Sequence, residues 1–279
     1  MTQPVPVPFS GRWGAATDTG AVRRHNEDAF LAAPPLFLVA DGMGGHAAGD
    51  IAASLVVGTF AQLVDRPCVT EDDLLQGVRR GRLAIVEFFA PSELSGGTTL
   101  SGIGVSSQDG VPSVAVVNIG DSRTYRLRDG VLEQLTKDHS TVQELVDSGA
   151  IAPSEARTHP HRNIITRAIS SVGDSEPDVR SIPVQVGDRY LACTDGLTGE
   201  LTDDQIRDVL ASVEDPQAAA SQLVAHALSV RGRDNITAVV VDVAHLADGD
   251  LPVPPWQHAT TAPDVDDSFD DTLPTRPRT

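Results

Sequence analysis

The residues in this sequence best suited to chemistry are carboxylates placed where the chain leaves a buried strand. Leu36 to Ala40 is a continuous apolar run that ends in Asp41-Gly42-Met43-Gly44-Gly45. A carboxylate there passes from a buried strand into a glycine turn that other groups can approach closely. Tyr190 to Thr194 runs in the same way into Asp195-Gly196, and Val117-Asn118-Ile119 runs into Gly120-Asp121-Ser122. An aspartate at a strand end is by default a turn former, but three of them beside glycine exceed what turns alone require. Two further acidic sites join them: Asn26-Glu27-Asp28 before a strand beginning near Ala29, and Asp234-Asn235 before the last strand. Gathered together, such carboxylates repel one another unless hard cations neutralise them, and oxygen donors select Mg²⁺ or Mn²⁺ over Zn²⁺. Two such ions about 3.5 to 4 Å apart clamp phosphoryl oxygens and lower the pKa of bound water, which is phosphate-ester chemistry. Arg23, four residues before Glu27, offers a planar fork for two phosphate oxygens. Its alternative is a surface arginine in the Arg23-Arg24-His25 cluster.

The elements that must position these groups are legible from periodicity. Strands are expected at Leu36 to Ala40, Thr98 to Val105, Ser113 to Ile119, Thr124 to Leu127, Val131 to Leu135, Val179 to Val186, Arg189 to Thr194 and Ile236 to Val243, most of them short and rich in Val, Ile and Leu. Asp129-Gly130 between two of them is a hairpin turn, which makes that pair antiparallel. Helical spacing links Ala52, Leu55, Val56, Phe60 and Leu63, then Leu74, Val78, Ile85 and Phe89 after a Thr70-xx-Asp73 start, and later Ala220, Leu223, Val224, Ala227 and Leu228. A shorter helix over Asp203 to Leu210 has Thr202 as its N-cap. Helix pairs alternating with runs of antiparallel strands give the α+β class, with helices packed on the faces of sheets. Lys137 to Ser171 reads as short polar helices forming a flap over a site. Gly42-x-Gly44-x-x-Ala47 loosely satisfies a dinucleotide fingerprint. A second helix and antiparallel strands follow it, however, and Asp41 would set a negative charge beside the pyrophosphate.

Composition narrows the function further. With 39 acidic against 21 basic side chains the net charge is -18, which disfavours a nucleic-acid partner bound through a basic face. The longest mainly apolar stretch, Ile51 to Val64, is too short and too polar to span a bilayer. The opening residues lack the basic and apolar regions of a secretory signal, so the expectation is a cytoplasmic chain without a membrane partner. Cys68 and Cys193 read as reduced core thiols. One domain is expected over residues 9–245. From residue 246 to 279 six prolines, seven aspartates and little apolar periodicity predict a disordered acidic tail, either a solubilising extension or a docking or inhibitory segment.

The assembled pattern resembles the metal-dependent PP2C (PPM) family of protein Ser/Thr phosphatases in its bacterial form. The resemblance covers roughly Gly11 to Val243 and rests on eight ordered motifs: GAVRRHNEDAF, LFLVADGMGGHAAGD, GGTTLSGIGV, NIGDSRTYRLRDG, TKDHS, NIITRAI, DRYLACTDGLT and GRDNITAVVV. It implies an αββα sandwich of two mainly antiparallel sheets with a small helical flap and a centre of two Mn²⁺ or Mg²⁺ ions. Asp41 would bridge the ions, the Gly42 carbonyl would ligate one, and Asp195 and Asp234 would ligate the other. Glu27 and Asp28 would hold metal-bound waters, Arg23 would bind phosphate, and Asp121 would serve a third, weaker metal site. The implied reaction is hydrolysis of phosphoserine or phosphothreonine in proteins by in-line attack of metal-bound water or hydroxide. The implied partners are Ser/Thr kinase targets, the kinase itself or an anti-sigma antagonist, met by a monomer.

Two departures from the family pattern matter. Met43 stands where animal members carry a histidine, leaving the leaving-group acid open among His46, His139 and His161. Gly199 stands where relatives often carry Asp, which puts the third metal in doubt unless Glu200 substitutes. The competing function is a catalytically silent module that binds phosphoproteins or regulators on the same fold.

Overall fold

The computed structural model describes residues 7–44, 48–91, 94–173, 175–247 and 255–258. The strands with apolar runs are buried on both faces, and alternate residues of each strand enter different cores. In β3 (Leu36–Met43), Leu36, Leu38 and Ala40 face one core while Phe37 and Val39 face another. In β12 (Ile236–Leu246), Ile236, Ala238 and Val240 face a third core, and Val239, Val241 and Val243 share the second with Phe37. That second core lies between two stacked sheets. The first lies under α1 (Ala48–Gly58) and α2 (Glu71–Phe89), and the third under α6 (Asp203–Ser212) and α7 (Pro216–Val230). The architecture is therefore an αββα sandwich. Two-sided burial explains why these antiparallel strands read as unbroken apolar runs rather than as alternating ones.

One sheet runs β13 (Gln257–His258), β1 (Phe9–Asp18), β12, β11 (Arg189–Cys193), β7 (Arg123–Arg128), β8 (Val131–Gln134). The other runs β10 (Asp178–Pro183), β6 (Val111–Ile119), β5 (Leu100–Gln108), β3, β4 (Gly97–Thr98), β9 (Ile169–Ser170), with β2 (Asp28–Ala33) pairing to β3. All pairings are antiparallel except β1 with β13. The second helix and the antiparallel β5 that follow α1 dispose of the dinucleotide unit.

Local chemistry sets the helix starts. Thr70 accepts from the Asp73 amide and Asp73 returns the bond, Thr202 and Gln205 do the same, and Asp215 caps α7 ahead of Pro216. The flap holds α3 (Thr141–Asp147) and α4 (Pro153–Ala156). Arg157 pins it to the domain by donating to the carbonyls of Thr198 and Leu201, both at 3.0 Å. A short α5 (Asp195–Thr198) lies beneath it.

The amino-terminal strand β1 escapes the periodicity argument because Gly11, Arg12 and Gly14 interrupt its apolar positions. The end of the domain carries a contact that composition does not suggest. Strand β12 runs to Leu246, and within the expected tail Trp256 sits against Phe9 and Phe37, with ring centroids 5.5 and 5.2 Å away. His258 stands edge-on to Trp13 at 4.0 Å. An aromatic side chain that closes the edge of two sheets outweighs the polar composition around it; the rest of the tail lies outside the described residues. Trp256→Ala should lower Tm by about 4–8 °C, given roughly 1 kcal/mol for each aromatic pair and about 2–4 °C per kcal/mol for a domain of this size. Turnover at 25 °C should be unchanged, because Phe9 and Phe37 stand at the ends of β1 and β3 remote from Asp18 and Asp41. Thermal melts and a steady-state assay check both parts.

Candidate metal and phosphate site

Antiparallel order brings the acidic positions to one end of the sandwich. Strands β3, β6 and β11 finish there and β2, β7 and β12 begin there, because each is paired antiparallel along the sheet order. Asp28 and Asp41 are direct register partners. Asp121 follows β6, Asp195 follows β11, and Asp234 precedes β12.

Neighbouring groups hold these acidic positions in place. The Asp41 amide donates to Thr99 Oγ1 at 3.0 Å, and its carbonyl accepts from the Thr99 amide and from Thr98 Oγ1, both at 2.9 Å. Asp28 Oδ2 accepts from Thr194 Oγ1 at 2.9 Å and from Thr237 Oγ1 at 2.7 Å, while Asp28 Oδ1 is buried with no partner. Asn235 ties the Glu27 loop to the start of β12 by accepting from the Glu27 amide and donating to the carbonyls of Thr19 and His25, all at 2.9 Å. Gly42 permits a close backbone approach. A Cβ there would lie 2.2 Å from the Gly49 carbonyl oxygen and 2.4 Å from that of Glu27, so no other residue fits.

The electrostatics are those of charges gathered against their own repulsion. Burial first, then Asp195, Asp28 and Asp121, push the Asp41 carboxyl well above the usual range. Burial pushes Asp28 up to about 7, against the pull of its two threonine hydroxyls. Asp121 is also raised well above normal by burial and Asp195, and Asp195 is raised by burial and Asp234. Asp41 and Asp195 thus act on each other as crowded buried carboxyls, the charge of Asp195 raising Asp41. Glu27 is raised by burial and by Asp50.

Arg23 does not stand free. Its Nη2 donates to Asp234 Oδ2 at 2.7 Å, so the phosphate candidate and one ligand candidate neutralise each other. Both line a cleft of about 360 Å³ together with Asp121, Asp195, Arg123, Arg157, Arg162 and Arg233. Arg123 holds Asp138 through Nε to Oδ1 at 2.9 Å and Nη2 to Oδ2 at 2.7 Å. Glu200 is 5% exposed and accepts from Arg233 Nε at 2.8 Å. It is therefore occupied as an ion-pair partner rather than replacing the carboxylate that Gly199 lacks. Of the histidines considered as acids, His139 and His161 do not line the cleft, and His46 lies outside the described residues. Sequence reasoning does not single out the supporting hydroxyls or the cleft arginines other than Arg23. The one signal for the hydroxyls is the run Thr98-Thr99, directly facing the end of β3.

The donor set fits hard cations. Among the described residues no three carboxylate, histidine or cysteine groups already form a finished ligand cluster. The fit rests on the orphaned Asp28 Oδ1, on the buried Asp41, Asp121 and Asp195 that crowd one another, and on an all-oxygen set with Asp234 shielded by Arg23.

An αββα sandwich with acidic strand ends and an arginine-lined cleft defines a metal-dependent phosphatase fold. The family model described as protein phosphatase 2C matches residues 21–229. PstP, a serine/threonine protein phosphatase of Mycobacterium tuberculosis, is 42% identical over 238 residues, covering 83% of this chain and 45% of that protein. The chain thus spans about half the length of the mycobacterial relatives it matches. Stp, a serine/threonine phosphatase of Listeria monocytogenes, is 35% identical over 240 residues, covering 81% of this chain and 93% of that protein. The crystal structure of M. tuberculosis PstP/Ppp superposes with a TM-score of 0.77 at 40% identity, covering 84% of this chain and 99% of that chain. The PstP catalytic domain solved in complex with 2 manganese ions gives 0.76 at 40% identity, covering 84% and 98%. The chain belongs to the protein phosphatase 2C family. No helix among the described residues is long and apolar enough to cross a membrane.

Proposed function

We propose that this chain hydrolyses phosphoserine and phosphothreonine in proteins, using two Mn²⁺ or Mg²⁺ ions held at the acidic end of the sandwich. The single observation that carries the reading is the meeting of the buried, mutually repelling Asp121 and Asp195 with Arg23 and Asp234 in the lining of one cleft. Asp41 would bridge the ions, the Gly42 carbonyl would complete the first, and Asp195 and Asp234 would hold the second. Glu27 and Asp28 would orient waters, and Asp121 would serve a third, weaker site. When bound, the ions supply Lewis-acid activation of water and charge neutralisation at the phosphoryl oxygens. Arg23 orients the phosphate with paired N–H donors. Thr194 and Thr237 keep Asp28 aimed, and Thr98 and Thr99 fix the backbone that carries Asp41. The domain would span residues 9–245, with Trp256 packed back against it and the rest of the chain beyond serving as a solubilising extension. The partners would be phosphorylated targets of a Ser/Thr kinase, the kinase itself or an anti-sigma antagonist, met by a cytoplasmic monomer.

Hydrolysis of p-nitrophenyl phosphate and of phosphothreonine peptides should require Mn²⁺ or Mg²⁺ and stop in EDTA. A folded protein that stays inert with Mn²⁺ would instead leave the silent binding module as the reading. Arg23→Ala should raise KM about tenfold or more, the worth of a charge-assisted hydrogen bond, with a smaller loss in kcat. Because Asp234 then loses a cationic competitor, Mn²⁺ affinity should hold or rise. A fall in Mn²⁺ affinity would contradict this assignment of Arg23.

A further inference from the structure

His139 is buried at the root of the flap, where it joins three parts of the structure. The chain enters the flap at residues 139–141 and returns at 164–166, and the two passages are zipped together. The Thr166 amide donates to the His139 carbonyl at 2.8 Å, the Thr141 amide donates to the Ile164 carbonyl at 2.9 Å, and Ser140 bridges to Ile165. Toward the acidic end, the His139 amide donates to the Gly120 carbonyl at 2.9 Å, and the Gly120 amide donates to His139 Nδ1 at 3.1 Å. Backbone and ring therefore grip the same residue. Nδ1 is an acceptor, so the ring proton sits on Nε2. Nε2 meets Asp178 Oδ2 at 3.2 Å, and Arg167 steadies the other oxygen of Asp178 at 3.2 Å.

The grip reaches the proposed metal ligands. Gly120 has φ of +105° and rests on Thr99, where a Cβ would lie 2.5 Å from Thr99 Cγ2. Thr99 Oγ1 accepts from the Asp41 amide and is 2.7 Å from Ser122 Oγ. A continuous path therefore runs from Asp178 through His139 to the Gly120–Ser122 turn, and through Thr99 to Asp41.

We propose that His139 is a positioning residue that keys the flap root onto the Gly120–Ser122 turn and thereby fixes Asp121 and Asp41 for metal binding. This rests on the metal-site reading above. A histidine that merely filled space would be replaced well by leucine. A positioning histidine needs its acceptor. The amide oxygen introduced by His139→Asn would supply one at the place of Nδ1, whereas leucine supplies none.

The test uses the full chain with His139→Leu, His139→Asn and Asp178→Ala, the last removing a side chain that is 59% exposed. Mn²⁺ binding is read by titration calorimetry, and amide exchange of Gly120 and Asp41 is read without metal. His139→Leu should weaken Mn²⁺ binding and speed both amides about tenfold or more, the worth of one buried hydrogen bond left unmade. His139→Asn should recover most of both losses, and Asp178→Ala should fall between wild type and His139→Leu. KM for p-nitrophenyl phosphate at saturating Mn²⁺ should stay within about twofold, since no phosphate contact changes. Lower Tm in His139→Leu with unchanged Mn²⁺ affinity and unchanged exchange would overturn the proposal, as would His139→Asn being no better than His139→Leu. A wild type that binds Mn²⁺ but hydrolyses nothing would sink the phosphatase reading and leave the His139 result standing. A wild type that binds no Mn²⁺ would overturn the metal part of the proposal outright.

Discussion

Asp41→Asn should leave a folded protein whose turnover of p-nitrophenyl phosphate falls at least about a thousandfold at saturating Mn²⁺, the scale expected when a group that organises transition-state charge is lost. Asparagine keeps the shape of the side chain and opens no cavity. It removes the anionic oxygen, and with it the only ligand assigned to both ions. The same exchange also relieves the crowding of Asp41 with Asp195, Asp28 and Asp121. The metal-free variant should therefore melt at or above the temperature of the metal-free wild type. A structural residue predicts the reverse pairing, lower Tm with turnover preserved once the protein is folded. Activity within about tenfold of wild type, with Mn²⁺ bound, would remove Asp41 from the role of bridging ligand.

The distribution of this machinery along the chain explains which parts of it can be read from sequence. Asp41, Asp121 and Asp195 are visible because they follow mainly apolar runs, and such runs are forced by a strand with a core on each face. That β11 and β12 lie side by side, so that Asp195 and Asp234 share one end, follows from sheet order, which local periodicity does not encode. The PP2C resemblance supplies that long-range order, and the antiparallel pairings supply its physical reason. The threonines around Asp28 and Asp41 are not legible because a strand threonine is equally at home facing another hydroxyl or a neighbouring backbone. Nothing in the spacing distinguishes Thr237, which holds Asp28, from Ser101, whose hydroxyl lies 2.9 Å from that of Thr124 in the interior. Arg23 is legible as a cation near the site, but its pairing with Asp234 spans 211 positions and needs the fold. Trp256 escapes for the opposite reason. A single aromatic in a proline-rich acidic stretch is outvoted by its neighbours in any compositional reading, although its ring alone is enough to dock against Phe9 and Phe37.

The carboxylate cluster also makes stability depend on pH in an unusual direction. Asp28 is pushed up to about 7, and Asp41, Asp121 and Asp195 are raised with it. In the unfolded chain these groups return to the ordinary range near about 4. Between about pH 4 and pH 7 the folded state therefore binds more protons than the unfolded state, and unfolding free energy falls as pH rises. Below that window both states are protonated and the penalty vanishes; above it the Asp28 share of the penalty is fully present. Metal-free protein should lose on the order of several kcal/mol across the window, about 10 °C in Tm. Mn²⁺ binds the deprotonated carboxylates, so its stabilisation should grow with pH and flatten the profile. Asp28→Asn should remove part of the slope without metal, since asparagine can still accept from Thr194 and Thr237 but has no charge to bury. Differential scanning calorimetry from pH 4 to 8, with EDTA and with Mn²⁺, measures all three curves. A metal-free Tm that rises through this window, or an Asp28→Asn curve parallel to wild type, would show that the buried carboxyls do not govern the stability of this end of the sandwich.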